Sequence, residues 1–179
     1  MKKINVRRMT QTALMIALLL CLQYLTQPWG QLVTGSCVNT ILAVTVLTVG
    51  MAGGVTVALL SPVFAWLLGI APQIVTVPAI MAGNAVFVVL LRLLYGKPLF
   101  KQILAWVVSA VAKFGVLYVL VVQVVCNLAA GFLLEQAVLK APMLTKLPAM
   151  FTWPQLFTAL IGGAVALLIT PVINKAMKK

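Results

Sequence analysis

The sequence predicts an all-α integral membrane protein with six transmembrane helices and both termini in the cytoplasm, as one membrane domain over residues 1–179. Three observations predict it. Of 179 residues, 64% are hydrophobic and 8% are charged, whereas soluble domains are about 25% charged. The apolar residues gather into runs close to the ~20 residues that a spanning helix needs. The basic residues cluster at alternate ends of those runs, as the positive-inside rule requires.

The spans follow in order. Span 1 covers about 9–26 and span 2 about 36–50. Span 3 covers about 53–70, span 4 about 74–95, span 5 about 101–134 and span 6 about 154–176. Spans 2 and 3 are separated only by the GMAGG segment at 50–54. Glycine admits the positive φ of a tight reversal, so a hairpin is expected there. Without it, residues 36–70 would form one helix ~50 Å long at the α-helical rise, too long for one crossing. Span 5 contains no Pro and no interior Gly pair. It is expected to leave the membrane near 127–131 and continue along the interface; a seventh span is disfavoured because too little chain remains to cross.

Charge sets the orientation. Lys2, Lys3, Arg7 and Arg8 precede span 1; Arg92, Lys97 and Lys101 flank the loop between spans 4 and 5; Lys175, Lys178 and Lys179 close the chain. Only Lys140 and Lys146 fall on the opposite side, and Lys113 lies inside span 5. The side with most of the bases is read as cytoplasmic. The basic-then-apolar start resembles a signal peptide, but no small-x-small cleavage site follows, so it is read as span 1.

Composition also narrows the chemistry. The net charge is +12, but the apolar content argues against a nucleic-acid-binding fold. There is no His and no Asp, and Glu135 is the single acid. General acid–base catalysis leans on those residue types, so an enzyme is disfavoured. Cys21, Cys37 and Cys126 lack metal-ligand spacing and are read as apolar fillers. No metal site and no cofactor is expected.

An ionisable group deep in the bilayer is expensive and marks a candidate site. Lys113 is twelve residues into span 5, ~18 Å at the helical rise and just past the middle of a ~30 Å core. One reading is a cation that meets an anionic ligand group. The other is a lysine hydrogen-bonded to amides and carbonyls inside the bundle. Asn84 lies about 15 Å into span 4 from the opposite face, level with Lys113. It is read either as a ligand contact or as an interhelical hydrogen bond. Asn39, Thr34, Gln73, Gln123, Asn127 and Gln155 add polar groups toward the outer half, with Trp29 and Trp153 at outer span ends. Of these, Asn39, Gln73, Gln123, Asn127 and Trp153 join Lys113 and Asn84 as candidate substrate-binding residues. Interfacial placement would also explain the tryptophans.

Small residues form the last pattern. Span 1 carries Ala13 and Ala17; span 6 carries Ala159 with Gly163, and Gly162 with Ala166. Small-xxx-small pairs let helices approach closely in lipid. In span 6 this is read as packing within the bundle. In span 1 a docking face for another protein fits equally well.

The segments RRMTQTALMIALLL, TGSCVNTILAVTVLTVG, AGNAVFVVLLRLLYGK, AKFGVLYVL and FTWPQLFTALIGGAVALLITPVINK give the chain a resemblance. It resembles the substrate-binding S components of energy-coupling factor (ECF) transporters, which import vitamins and related micronutrients in prokaryotes. The resemblance implies residence in the prokaryotic plasma membrane. It implies a partnership with a transmembrane coupling subunit and two ATP-hydrolysing subunits, docked through Ala13 and Ala17. It also implies a ligand in the outer half, under the loops joining spans 1 and 2, 3 and 4, and 5 and 6, and delivery by toppling of the whole subunit. The chain has no phosphate-binding Gly-x-x-x-x-Gly-Lys-Ser/Thr loop, which agrees with energy supplied by partners. With Lys113 in a span and no acid in any, the residues favour an anionic or neutral small molecule over a cation. The competing readings are a self-contained small secondary transporter or channel, oligomeric in form, and a membrane scaffold without a ligand.

Overall fold

The computed structural model describes residues 6–70 and 73–177, all in helices or their connections; among them no strand occurs. Helix α1 spans Val6–Thr26, α2 Gln31–Thr48, α3 Met51–Leu67 and α4 Val77–Leu94. Helix α5 spans Leu99–Leu117 and runs on as a π-helical segment, Tyr118–Leu128. Short helices α6, Ala130–Glu135, and α7, Met143–Phe151, lead into α8, Trp153–Met177. Single 3-10 turns at Gln27–Trp29 and Ile74–Thr76 introduce α2 and α4.

Among the described residues, five helical runs are long and apolar enough to cross a membrane: Val6–Trp29, Gln31–Thr48, Ile74–Leu94, Leu99–Leu128 and Met143–Ala176. A sixth apolar helix, Met51–Leu67, has 17 residues, at the short end of the usual spanning range. Large apolar side chains such as Leu14, Leu18, Val111, Ile161 and Leu168 remain exposed on the outside of the bundle. An apolar exterior of this kind is costly in water and neutral against lipid tails, so the protein is a membrane protein.

Helix α2 runs through the middle. Every residue from Ile41 to Leu47 is buried, because α1, α3, α4 and α8 all pack around it. Its contact with α8 is close enough to need a residue without a side chain. A Cβ at Gly162 would stand 2.6 Å from the Ser36 carbonyl oxygen and 2.8 Å from the Thr40 amide nitrogen. At that separation the Thr40 hydroxyl is shared between the Ser36 carbonyl of its own helix at 2.8 Å and the Gly162 carbonyl across the contact at 3.2 Å. Other hydroxyls inside the bundle bond back to their own helix, as Thr45 does to Ile41 at 2.6 Å. That satisfies them where no water reaches.

The α2–α3 reversal is tighter than the 50–54 segment suggested. Gly50 alone takes the turn conformation, with φ +106°. Gly53 and Gly54 fall inside α3 and are buried there, Gly53 against Thr12 of α1 and Gly54 against Val46 of α2. Helix α2 itself begins at Gln31, more than a turn earlier than the expected span start at 36, because the mixed segment QLVTG at 31–35 is helical too.

The winding changes at Tyr118, and the long helix ends with an i→i+5 bond from the Ala129 amide to the Val124 carbonyl at 2.8 Å. Leu117, Val121 and Val125 then form a second, smaller apolar cluster with Leu139, Leu147 and Phe151. This cluster fixes α7 over one end of the bundle. The α1–α2 and α3–α4 connections lie at that same end. The opposite end holds the Gly50 turn, the α4–α5 loop and Arg7, Arg8, Arg92, Lys97, Lys101 and Lys175. Lys140 and Lys146 lie at the α7 end; Lys2, Lys3, Lys178 and Lys179 lie outside the described residues.

Candidate functional site

Lys113 sits fourteen residues after the start of α5 and is 3% exposed. A lysine ammonium has three protons to donate. It gives one to Asn39 Oδ1 at 2.6 Å and one to Asn84 Oδ1 at 2.7 Å. Its Nζ also lies 5.6 Å from the centre of the Phe87 ring, within the range of a cation–π attraction. Three helices therefore converge on one nitrogen: α2 through Asn39, α4 through Asn84 and α5 through Lys113.

Asn39 is held in turn. Asn39 Nδ2 donates to the Gly35 carbonyl at 2.9 Å and to Thr158 Oγ1 at 3.3 Å. Thr158 Oγ1 donates to the Gln155 carbonyl at 3.1 Å, and Gln155 Nε2 donates to the Met150 carbonyl at 3.2 Å. This chain ties the lysine site on α5 to α2, α8 and α7. It fixes where Asn39 Oδ1 points, and a fixed acceptor is what keeps a buried ammonium tolerable.

A cavity of about 270 Å³ opens against this cluster. Lys113, Asn39 and Asn84 line its inner end. Gln27 and Gly30 of the α1–α2 connection, Ile70 after α3, and Met150 and Phe151 of α7 line its other end. Gln23, Gln31, Thr34 and Gln155 add amide and hydroxyl groups, and Val38, Ala65 and Ile80 add apolar wall. Among the described residues no acid lines it; Glu135 is exposed on α6.

The other candidates lie elsewhere. Gln123 and Asn127 sit on the π-helical segment, where Asn127 Nδ2 donates to Gln123 Oε1 at 2.9 Å and Gln123 Nε2 to the Tyr118 hydroxyl at 3.1 Å. Trp153 is 64% exposed and stacks on Phe114 with ring centres 5.8 Å apart. Gln73 lies just before α4, and its carbonyl accepts from the Thr76 hydroxyl at 2.7 Å. None of these four is in the cavity wall. Ala13 and Ala17 are both exposed on α1.

Sequence reasoning passed over Gln23, Gln27 and Gln31. They recur at intervals of four through QYLTQPWGQ, but they fall in α1, the 3-10 turn and α2 in turn, so no single helix face gathers them. Ser61 and Pro62 of α3 were also missed; both are buried and reach the cavity.

Compared with known proteins, residues 7–174 match the family model described as ECF transporter, substrate-specific component. No curated protein and no solved structure matches the chain.

Proposed function

The chain belongs to the family of ECF transporter substrate-specific components, and we propose that it is the high-affinity substrate-binding subunit of an ECF-type importer. It captures a vitamin or related micronutrient, anionic or neutral, in the cavity beside Lys113. The observation that carries this reading is the cavity itself. It is a small chamber with amide and hydroxyl groups set in a largely apolar wall and, among the described residues, one buried cation and no acid lining it.

The six apolar helices cross the membrane with both termini in the cytoplasm. The basic residues of the Gly50 end support this orientation by the positive-inside rule, and it sets the cavity mouth and α7 outside. The membrane is the prokaryotic plasma membrane. The energy comes from a coupling subunit and two ATPases. The exposed Ala13 and Ala17 face of α1 is the surface on which that coupling subunit docks.

Co-expression with a coupling subunit and two ATPases tests the reading. The four should co-purify as one complex, and liposomes holding that complex should accumulate substrate only with ATP inside the compartment of the ATPases. Accumulation without ATP by this chain alone would refute it. Native mass spectrometry of the purified chain should detect a retained small molecule.

A further inference from the structure

We infer that the ligand is an elongated monocarboxylate with an uncharged amide- or hydroxyl-bearing body, bound with its carboxylate inward against Lys113 and its polar body outward against the glutamines. This rests on the substrate-binding reading above and goes beyond it, because it selects the anion and orients it.

The charge comes first. Lys113 is the one cation in the cavity wall, and no acid balances it there. Asn39 and Asn84 satisfy two of its protons, but amide oxygens are neutral and leave the full charge in place. The third proton remains for an acceptor on the cavity side. A carboxylate there forms a charge-assisted hydrogen bond and cancels the charge one for one. A phosphate ester brings about −1.5 to −2, more than one lysine offsets in a dry site. A cationic ligand would meet like charge with no compensating acid.

The shape comes second. Gln31 and Asn39 both line the cavity on α2 and are eight residues apart, ~12 Å along the helix at its usual rise. Gln23, Gln27 and Gln31 mark the far end, each side-chain amide offering both donors and an acceptor. Between the two ends the wall is Val38, Ala65 and Ile80. The cavity of about 270 Å³ lies at the small end of the range of small-molecule sites, roughly 300–1,000 Å³. The ligand is thus compact, charged at one tip, apolar in the middle and polar at the other tip.

Three probes of matched length test this on the full chain in lipid nanodiscs: 6-acetamidohexanoate, its methyl ester and 6-acetamidohexylamine. Binding is read by calorimetric titration. The carboxylate should bind, the ester roughly tenfold or more weaker, as expected for losing a hydrogen bond to a charged group, and the amine not at all. Lys113→Gln should erase the difference between carboxylate and ester, and Lys113→Arg should keep it, which separates lost charge from a lost fold. Gln31→Leu should weaken carboxylate and ester alike. Binding of the amine or ester as tight as that of the carboxylate, no binding of any probe, or a preference that survives Lys113→Gln would overturn the inference. Co-purification with the coupling subunit and ATPases, scored on the same preparations, judges the transporter reading separately. An intact complex without the charge preference sinks only the ligand assignment.

Discussion

Replacing Gly162 with alanine adds one methyl group where α8 meets the backbone of α2. Two of the three atoms it would meet, the Ser36 carbonyl oxygen at 2.6 Å and the Thr40 amide nitrogen at 2.8 Å, are backbone. Backbone cannot rotate away as a side-chain tip can, so α2 and α8 must separate. Overpacking of this kind costs ~1–3 kcal/mol. Separation also breaks the Thr40–Gly162 bond, worth ~0.6 kcal/mol in a membrane bundle. Alanine returns ~1 kcal/mol of helix propensity, leaving a net loss of about 0.6–2.6 kcal/mol. Gly115→Ala is the matched control: its Cβ would meet nothing within 4 Å, so only the gain of ~1 kcal/mol remains. Thermal unfolding of the purified protein, at ~2–4 °C per kcal/mol for a chain of this size, should move the two variants in opposite directions and separate them by at least about 3 °C. Because Asn39 Cβ is the third atom in the way, at 2.7 Å, the Gly162→Ala protein should also bind ligand more weakly. An unfolding midpoint for Gly162→Ala at or above wild type would refute the argument from backbone contact.

Other outcomes follow from single residues. Gly50→Ala places a side chain at φ +106° and should destabilise by ~1–3 kcal/mol. Ala137→Gly relieves a non-glycine residue at φ +53° and should stabilise by about 1 kcal/mol; both are read by thermal unfolding. Ala13→Trp with Ala17→Trp should cut co-purification of the coupling subunit, yet leave the unfolding midpoint within ~0.5 kcal/mol of wild type, since both positions are exposed. Asn84→Asp sets an acid beside Lys113 and should weaken binding of 6-acetamidohexanoate roughly tenfold or more, with little change for its methyl ester; equal loss of both would argue against an electrostatic role.

How much of this was legible in the sequence depends on which property each residue reports. Apolar run length located the helices, because the lipid requirement acts on whole segments. The depth of Lys113 and Asn84 was legible for the same reason, since depth is residue count times rise. Rotation about each helix axis was not. Gln123 and Asn127 look no different in sequence from Asn39, yet they pair with each other on the π-helical segment, while Asn39 meets the lysine. That segment also winds differently from an α-helix, so a 3.6-residue period assigns its faces wrongly. The two readings of Lys113 turn out to be compatible: it is hydrogen-bonded within the bundle and it also borders the cavity. The glutamines at 23, 27 and 31 were not legible, because the turn between α1 and α2, and not a helical period, brings them to one cavity.

The lysine with its two asparagines also bears on how the chain enters the membrane. A lysine at a helix centre costs ~2.5–3.5 kcal/mol during insertion, and each Leu, Ile, Phe or Val returns ~0.3–0.6. Helix α5 holds ten of those apolar residues, roughly 3–6 kcal/mol by that scale. Its insertion as an isolated segment is therefore close to balanced, and small aid decides it. That aid is already in place when ribosomal synthesis reaches residue 113, because both acceptors, Asn39 and Asn84, lie earlier in the chain. The order of residues along the polypeptide lets α2 and α4 receive the charge as α5 arrives. Loss of either asparagine would thus lower the yield of inserted protein before any ligand is met.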